Sequence, residues 1–379
     1  MGKKKKGKRK VRAEFRKKHE SRTRDHDLTR RYDAKSTEEV DDLAAGERVS
    51  GRSQLARKRT IVGAEVEETS GGFQVQLDVD LNVCRKGKVL AVRGLNSDVQ
   101  DENGKIYTCA IRGILKSLAT DLQNVVVAGD EVMFEPIDDD NGVIARVEAR
   151  KNYLSRSSRS RQHIIVSNVD QILIMASAAM PGLKPNLVDR FLVSAEKANI
   201  EAVICINKID LIPASDLQPV VGVWGQLGYR VVLVSATEGI GIESLRELLK
   251  GKDSVVCGQS GVGKSSLLNA IQPELNLRVS HVSSDNQKGR HTTTAAQLVA
   301  LNFGGHIIDT PGIRQFQLWD VEPEEVEGYF RDIRPFIDGC KYPDCTHIHE
   351  DDCAVKDAVA DNKVDVRRYE SYFKIREGH

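Results

Sequence analysis

The sequence predicts an α/β protein in three parts: a central domain with a largely parallel sheet, a small all-β domain before it, and a short cysteine-bearing domain after it. Three observations predict this. From residue 152 to about 320, apolar runs alternate with amphipathic stretches, the rhythm of strand and helix in a parallel sheet. Over residues 61–151 the runs are shorter and broken by Gly, Asn and Asp, as in an all-β unit. In the terminal segment, 321–379, "CKYPDCTHIHEDDC" stands at 340–353 between an acidic, aromatic stretch and a helical tail. At 379 residues the chain is too long for one ordinary domain, and two or three are expected.

The chain begins with an extension, residues 1–60, that holds 21 Lys and Arg against 10 Asp and Glu, a net of +11 that leaves the remainder at −10. It shows no hydrophobic periodicity and reads as mobile, with at most transient helix. A block of like charge suits an arm for nucleic acid, and an aid to solubility is the alternative. No apolar run follows "MGKKKKGKRK" to serve as a signal peptide or a membrane span. A cytoplasmic protein without a membrane partner is therefore expected; a monomer is expected separately. The seven cysteines agree: an odd number, three of them beside histidines, reads as metal binding rather than disulfides.

In residues 61–151 the runs "FQVQLDVDL", "KVLAVRG", "IYTCAIRG", "NVVVAGDEVMFEPI" and "GVIARVEAR", with the turn "ENGK" at 102–105, predict a small β-barrel. An oligonucleotide-binding (OB) barrel suits an RNA partner, although a barrel alone establishes no function. "RKNYLSRSSRSR", 150–161, reads as a basic, Ser-rich linker that marks the boundary.

The central domain carries the chemistry. "GQSGVGKSS", 258–266, lies between the strand "SVVC" and the helix "SSLLNAI", the context of a phosphate-binding loop. Gly258, Gln259, Ser260, Gly261, Val262 and Gly263 wrap backbone N–H groups around a phosphate at a helix N-terminus. Lys264 reaches the β- and γ-phosphates, where its charge serves catalysis, while Ser265, followed by Ser266, offers a hydroxyl to Mg²⁺. "DTPG", 309–312, follows the apolar run "HII", so Asp309 holds Mg²⁺ through water and Gly312 lends its N–H to the γ-phosphate. "GRHTTT", 289–294, supplies hydroxyls that complete the magnesium shell, and Thr293 is the candidate beside Thr292 and Thr294.

"NKID", 207–210, follows the strand "AVICI" and identifies the base. Asp210 accepts hydrogen bonds from guanine N1–H and the N2 amine, a donor pair that adenine lacks, so GTP is favoured over ATP. Asn207 bridges base and phosphate loop, and the Lys208 stem packs over the ring. Ser235 and Ala236, in "SAT" at 235–237, meet guanine O6 with a backbone N–H. The base readers precede the phosphate loop, whereas the usual chain order is the reverse. Motifs at neighbouring strand ends keep their places when the old termini are joined and the chain is cut elsewhere, so the order is a circular permutation.

Cys340, Cys345, His347 and Cys353 provide three thiolates and an imidazole, a set for one structural, tetrahedral zinc with no open position. His349 is a competing ligand. The predicted fold is thus α/β, a circularly permuted P-loop GTPase domain preceded by an OB-type β-barrel and followed by a small zinc-binding domain.

The order NKxD, SA, phosphate loop, "GRHTTT", DTPG, with a barrel before it and Cys-x4-Cys-x-His-x5-Cys after it, closely resembles the RsgA (YjeQ) family of circularly permuted GTPases. The resemblance covers about residues 60–379. It implies a ribosome-dependent GTPase acting late in assembly of the bacterial small (30S) subunit, with the zinc domain docking on its 16S rRNA. It supports the roles given to Asn207, Asp210, Lys264, Ser265, Asp309 and the four zinc ligands. It also adds one point: Ile313 stands where many GTPases place a water-orienting Gln, and His291 matches the family's substitute, with an RNA contact as its alternative role. The runner-up function is a GTP-gated RNA-binding factor acting on the large subunit or in translation, with hydrolysis incidental.

Overall fold

The computed structural model describes residues 10–14, 58–62, 64–69, 72–77, 79–80, 82–113, 115, 125–158, 161–277, 296–309 and 321–378. They fall into two compact units, one of Met1–Lys88, Gly94–Val126 and Glu131–Ala149, the other of Val89–Arg93, Val127–Asp130 and Arg150–His379.

In the first unit, β1 (Lys10–Glu14) pairs antiparallel with β2 (Lys58–Val62), and β3 (Ala64–Thr69) with β4 (Gly72–Leu77). Five strands then close a barrel: β5 (Arg85–Arg93), β6 (Asn96–Asp101), β7 (Ile106–Ile111), β8 (Glu131–Pro136) and β9 (Asn141–Val147). Their order is β5-β6-β7-β9-β8, and the ring shuts where Arg85 of β5 stands opposite Phe134 of β8. Alternate residues point inward, so Tyr107, Cys109, Phe134 and Ile144 fill the interior.

Two expectations change here. The run at 73–81 supplies β4 of a separate hairpin and no barrel strand, because β5 and β8 satisfy each other's edges. The basic extension contains β1, whose "KVRAE" alternation is too short to stand out as a periodic signal. The remainder of residues 1–57 lies outside the described residues.

In the second unit, the segment read as a linker is instead a hairpin of β10 (Tyr153–Ser158) and β11 (Arg161–Ser167), with Leu154, Ile164 and Val166 buried. Its Ser and Arg content hides the strands, because only one face is apolar. The main sheet consists of β12 (Gln171–Ser177), β13 (Glu201–Asn207), β14 (Arg230–Leu233), β15 (Asp253–Gly258), β16 (Gln297–Ala300) and β17 (His306–Asp309). These lie in the order β14-β13-β12-β15-β17-β16, all parallel except β16. β12 is buried at every position, as a central strand covered on both faces must be.

Helices cover both faces. On one, α1 (Pro185–Lys197) and α2 (Ala214–Gln226) pack Val188, Phe191, Leu192, Leu217, Val220 and Trp224 against Ile174, Ile204 and Ile206. On the other, α3 (Ile242–Leu249) and α4 (Lys264–Ile271) pack Leu245, Leu249, Leu267 and Leu268 against Met175, Val203 and Cys205. α1 starts with Pro185, whose missing N–H costs nothing at a helix start. The terminal segment adds α5 (Ala354–Ala360) and α6 (Val366–Arg376) around a core of Phe330, Val355 and Tyr372. Among the described residues no helix is long and apolar enough to cross a membrane.

Candidate functional site

The predicted motifs stand at the C-terminal ends of adjacent parallel strands, where open α/β sheets bind ligands. Asn207 ends β13, Ser235 follows β14, Gly258 ends β15 and Asp309 ends β17. In chain order NKID comes first. In space it stands beside the phosphate loop, with only β12 between β13 and β15.

Asn207 joins three loops. Its buried side chain donates from Nδ2 to Val262 O at 3.0 Å and accepts from Ala236 N at 3.1 Å. NKID, SAT and the phosphate loop are therefore tied together by one amide. Gly263 makes room for this: at φ 91° it faces Asn207, and a Cβ there would lie 2.5 Å from Nδ2. Gly258 is as constrained, since its Cβ would lie 2.1 Å from Met175 O of β12.

Two lysines grip the loop. Lys264, the first residue of α4, donates from Nζ to Gly258 O at 2.8 Å and Gln259 O at 2.6 Å. Lys208 takes a left-handed φ of 63° and donates to Gly261 O at 2.8 Å and to Met180 O. Its stem thereby crosses the space beside the loop, where the sequence expects a base. Ser235 is buried, sharing a hydroxyl contact of 3.1 Å with Thr237 and accepting from Glu238 N at 3.2 Å. Ser265 and Ser266 lie half-buried in the first turn of α4, and Asp210 is exposed at the surface of its loop.

The second cluster lies in the terminal segment. Ligand atoms of Cys340, Cys345, His347 and Cys353 all lie within 4.8 Å of one another. His347 Nδ1 is 3.4 Å from the sulfurs of Cys340 and Cys353, which are 3.8 Å apart. A tetrahedral site with Zn–S bonds of about 2.3 Å has ligand edges of roughly 3.8 Å, near the three separations among Cys340, His347 and Cys353, so three thiols and an imidazole fit this ion in kind. His349 is exposed and outside the cluster, which leaves His347 as the histidine of the donor set.

The surroundings hold the ligands in place. His347 Nε2 lies 3.2 Å from Glu327 Oε2, a bent contact, and Arg376 Nη1 holds the same oxygen at 3.1 Å. A carboxylate on the far nitrogen of a ligating imidazole orients the ring and raises its basicity. Burial pushes the His347 imidazole below its ordinary value, which keeps it neutral as a ligand must be. Glu350 accepts from Thr346 N and Oγ1 at 2.9 and 2.6 Å and from Ile348 N at 3.1 Å. Those bonds, the Thr346 hydroxyl foremost, hold its carboxyl well below the usual carboxylate range. Tyr369 and Tyr372 of α6 donate to the carbonyls of His347 and Thr346 at 2.6 and 2.8 Å.

Comparison with known proteins decides the family. The RsgA GTPase family model matches residues 147–319. The small ribosomal subunit biogenesis GTPase RsgA of Thermotoga petrophila is 42% identical over 300 residues, which cover 78% of this chain and 97% of that protein. Its counterpart in Flavobacterium psychrophilum is 38% identical over 290 residues, 74% of this chain and 89% of the relative. The chain belongs to the RsgA GTPase family. The crystal structure of YjeQ from Thermotoga maritima matches with a TM-score of 0.65 at 39% identity, covering 78% of this chain and 98% of that one. YloQ, described as a circularly permuted GTPase, matches with a TM-score of 0.61 at 32% identity, covering 78% and 94%. RsgA membership makes the chain a GTPase, and the permuted order read from its motifs is a property of the fold.

Within this RsgA-family site the structure brings together Asn207, Lys208, Ser235, Ala236 and the loop from Gly258 to Ser266. It places the backbone of Asp309 at the end of β17. His291, Thr293, Gly312 and Ile313 lie outside the described residues. Sequence reading missed Glu327 and Arg376 beside the metal cluster, because nothing in their spacing relates them to His347. It foresaw the bridge from Asn207 to the phosphate loop, and missed that Lys208 binds a carbonyl of the same loop.

Proposed function

We propose that the chain binds GTP across the NKID, SAT and phosphate loops and hydrolyses it in response to the small (30S) ribosomal subunit, assisting late maturation and timing its own release. The observation that carries this reading is Asn207, whose single amide joins the three loops that read base and phosphate. The names of the relatives, small ribosomal subunit biogenesis GTPases, support the ribosomal half.

In this reading Asp210 selects guanine, Lys264 neutralises charge on the phosphates, and Ser265, Thr293 and Asp309 hold Mg²⁺. His291 orients the attacking water, since Ile313 cannot. Catalysis of phosphoryl transfer rests on positioning and charge stabilisation, which these groups supply. Cys340, Cys345, His347 and Cys353 hold one zinc that maintains a surface for 16S rRNA. Residues 1–60 form a basic arm, 61–151 the OB barrel, 152–320 the GTPase domain and 321–379 the zinc domain of a cytoplasmic monomer.

The test is GTP turnover by the full chain alone, with purified small subunits and with large subunits, alongside competition by ATP. Stimulation by small subunits only, with no competition from ATP, is expected. Equal stimulation by large subunits, or turnover unaffected by either, overturns the ribosomal assignment.

A further inference from the structure

The terminal segment grips the two helices that flank the base-reading strand. Arg368 of α6 is fully buried and uses both edges of its guanidinium. It donates from Nη1 to Asp189 of α1 at 2.6 Å, and from Nε and Nη2 to the two oxygens of Asp332 at 3.0 and 2.9 Å. The Phe330 ring covers it at 4.4 Å. Asp189 accepts a second bond, from Trp224 Nε1 of α2 at 3.0 Å. Neighbouring cations repeat the grip: Arg367 donates to Pro219 O of α2 at 3.0 Å, and Arg331 binds Glu196 of α1 at 2.7 Å and Leu227 O after α2 at 3.0 Å.

α1 leads into β13 and α2 leads out of NKID, so the grip encloses the base-reading loop in sequence. It does so in the core as well. Trp224 shares one apolar cluster with Ile206, Ile209 and Ile212, the residues before, within and after Asn207–Asp210. Val262 of the phosphate loop, with Leu267 and Leu268 of α4, belongs to the cluster on the opposite face of the sheet. A strain entering at Arg368 therefore reaches the NKID loop first, through the core beneath it, and meets the phosphate loop only through Asn207 and Lys208.

We propose that Arg368 is a positioning residue: through Asp189 and Trp224 it fixes the NKID loop, so that the state of the terminal segment sets how tightly and how selectively guanine is held. The proposal rests on the nucleotide reading above. A partner pulling on the terminal segment then changes nucleotide affinity from outside the site, and coupling of this kind is worth about 5- to 150-fold in affinity.

Full-length Trp224→Phe keeps the ring and loses the N–H. Arg368→Lys keeps the charge and loses the fork geometry. For each, the dissociation rate of a fluorescent GDP and the affinity ratio of GDP to IDP are measured, with metal content and thermal melting. IDP lacks the N2 amine, so the ratio reports the Asp210 contact directly.

Both variants are expected to melt cooperatively and retain their metal. GDP release should rise roughly tenfold for Arg368→Lys and roughly threefold for Trp224→Phe, and the GDP preference should narrow. Leu245→Ala, a cavity in the opposite core, is expected to lower the melting temperature with the ratio unchanged. Folded, metal-loaded variants with the unmutated release rate and ratio overturn the positioning role alone, as does a ratio that Leu245→Ala shifts equally. If Arg368→Lys fails to fold, Trp224→Phe decides. An unmutated protein that does not bind GDP overturns the nucleotide reading and this role with it.

Discussion

The NKID loop at 207–210 and the Cys/His loop at 340–353 are both short, polar and set between regular elements, yet they are held in opposite ways. The first stands on the sheet: Ile206 is buried beneath it, Ile209 and Ile212 pack on the same core, and Asn207 ties it to two neighbouring loops. The second has little such footing. Its contributions to the apolar core of the terminal segment are Cys345 and Cys353, with Cys340 packed against it, so its apolar anchors are the cysteines of the candidate metal cluster. One loop is ordered by the fold and then offers a site. The other is held from outside its core, by Glu350 and by two tyrosine hydroxyls from α6, around four residues that can hold a metal.

The largest effect should come from removing a metal anchor. Cys345→Ser is expected to lose stoichiometric zinc and expose 340–353 to protease, because structural zinc supplies about 10–16 kcal/mol in small modules. Metal analysis with limited proteolysis checks it, and a protected loop without metal would break the contrast. Asp210→Asn should act on the ligand and leave the fold alone. An amide cannot accept both guanine hydrogen bonds, and a weakening of GDP binding by about 100-fold at unchanged melting temperature is expected by calorimetry.

Glu327→Gln tests whether the metal loop depends on groups outside it. Loss of the carboxylate beside His347 should lower zinc affinity roughly 10- to 100-fold, read by competition with a chelating dye. His291→Ala should leave GTP binding intact and reduce subunit-stimulated turnover roughly tenfold, since positioning of the water is what it removes. Full stimulated activity in that variant would assign His291 to an RNA contact.

Much of this was legible because local chemistry leaves few alternatives. "GQSGVGKS" between an apolar strand and a helix has one use, and the run "QILIMAS", apolar throughout, marks a strand covered on both faces. The hairpin at 153–167 was not legible: alternation of Ser and Arg with few apolar residues resembles a solvated linker, and only pairing with a partner strand distinguishes the two. The sequence named His347 with His349 as its competitor, since two residues apart both can satisfy the spacing, and the structure separates them. A left-handed His347, at φ 59°, puts one ring among the thiols and leaves the other in solvent.

By itself the sequence determined the chemistry of each loop, the permuted order of the motifs and the donor set for a metal, because each depends on residue type over a few positions. The tertiary structure alone decided which loops share a core. Arg368 meets Asp189 across 179 positions, and Glu327 meets His347 with no spacing that relates them. Such contacts arise from how helices pack on a sheet and on each other, where apolar area and shape set the neighbours. A buried guanidinium then finds its carboxylates because leaving either charge unpaired there costs several kcal/mol, about as much as many domains have in total stability.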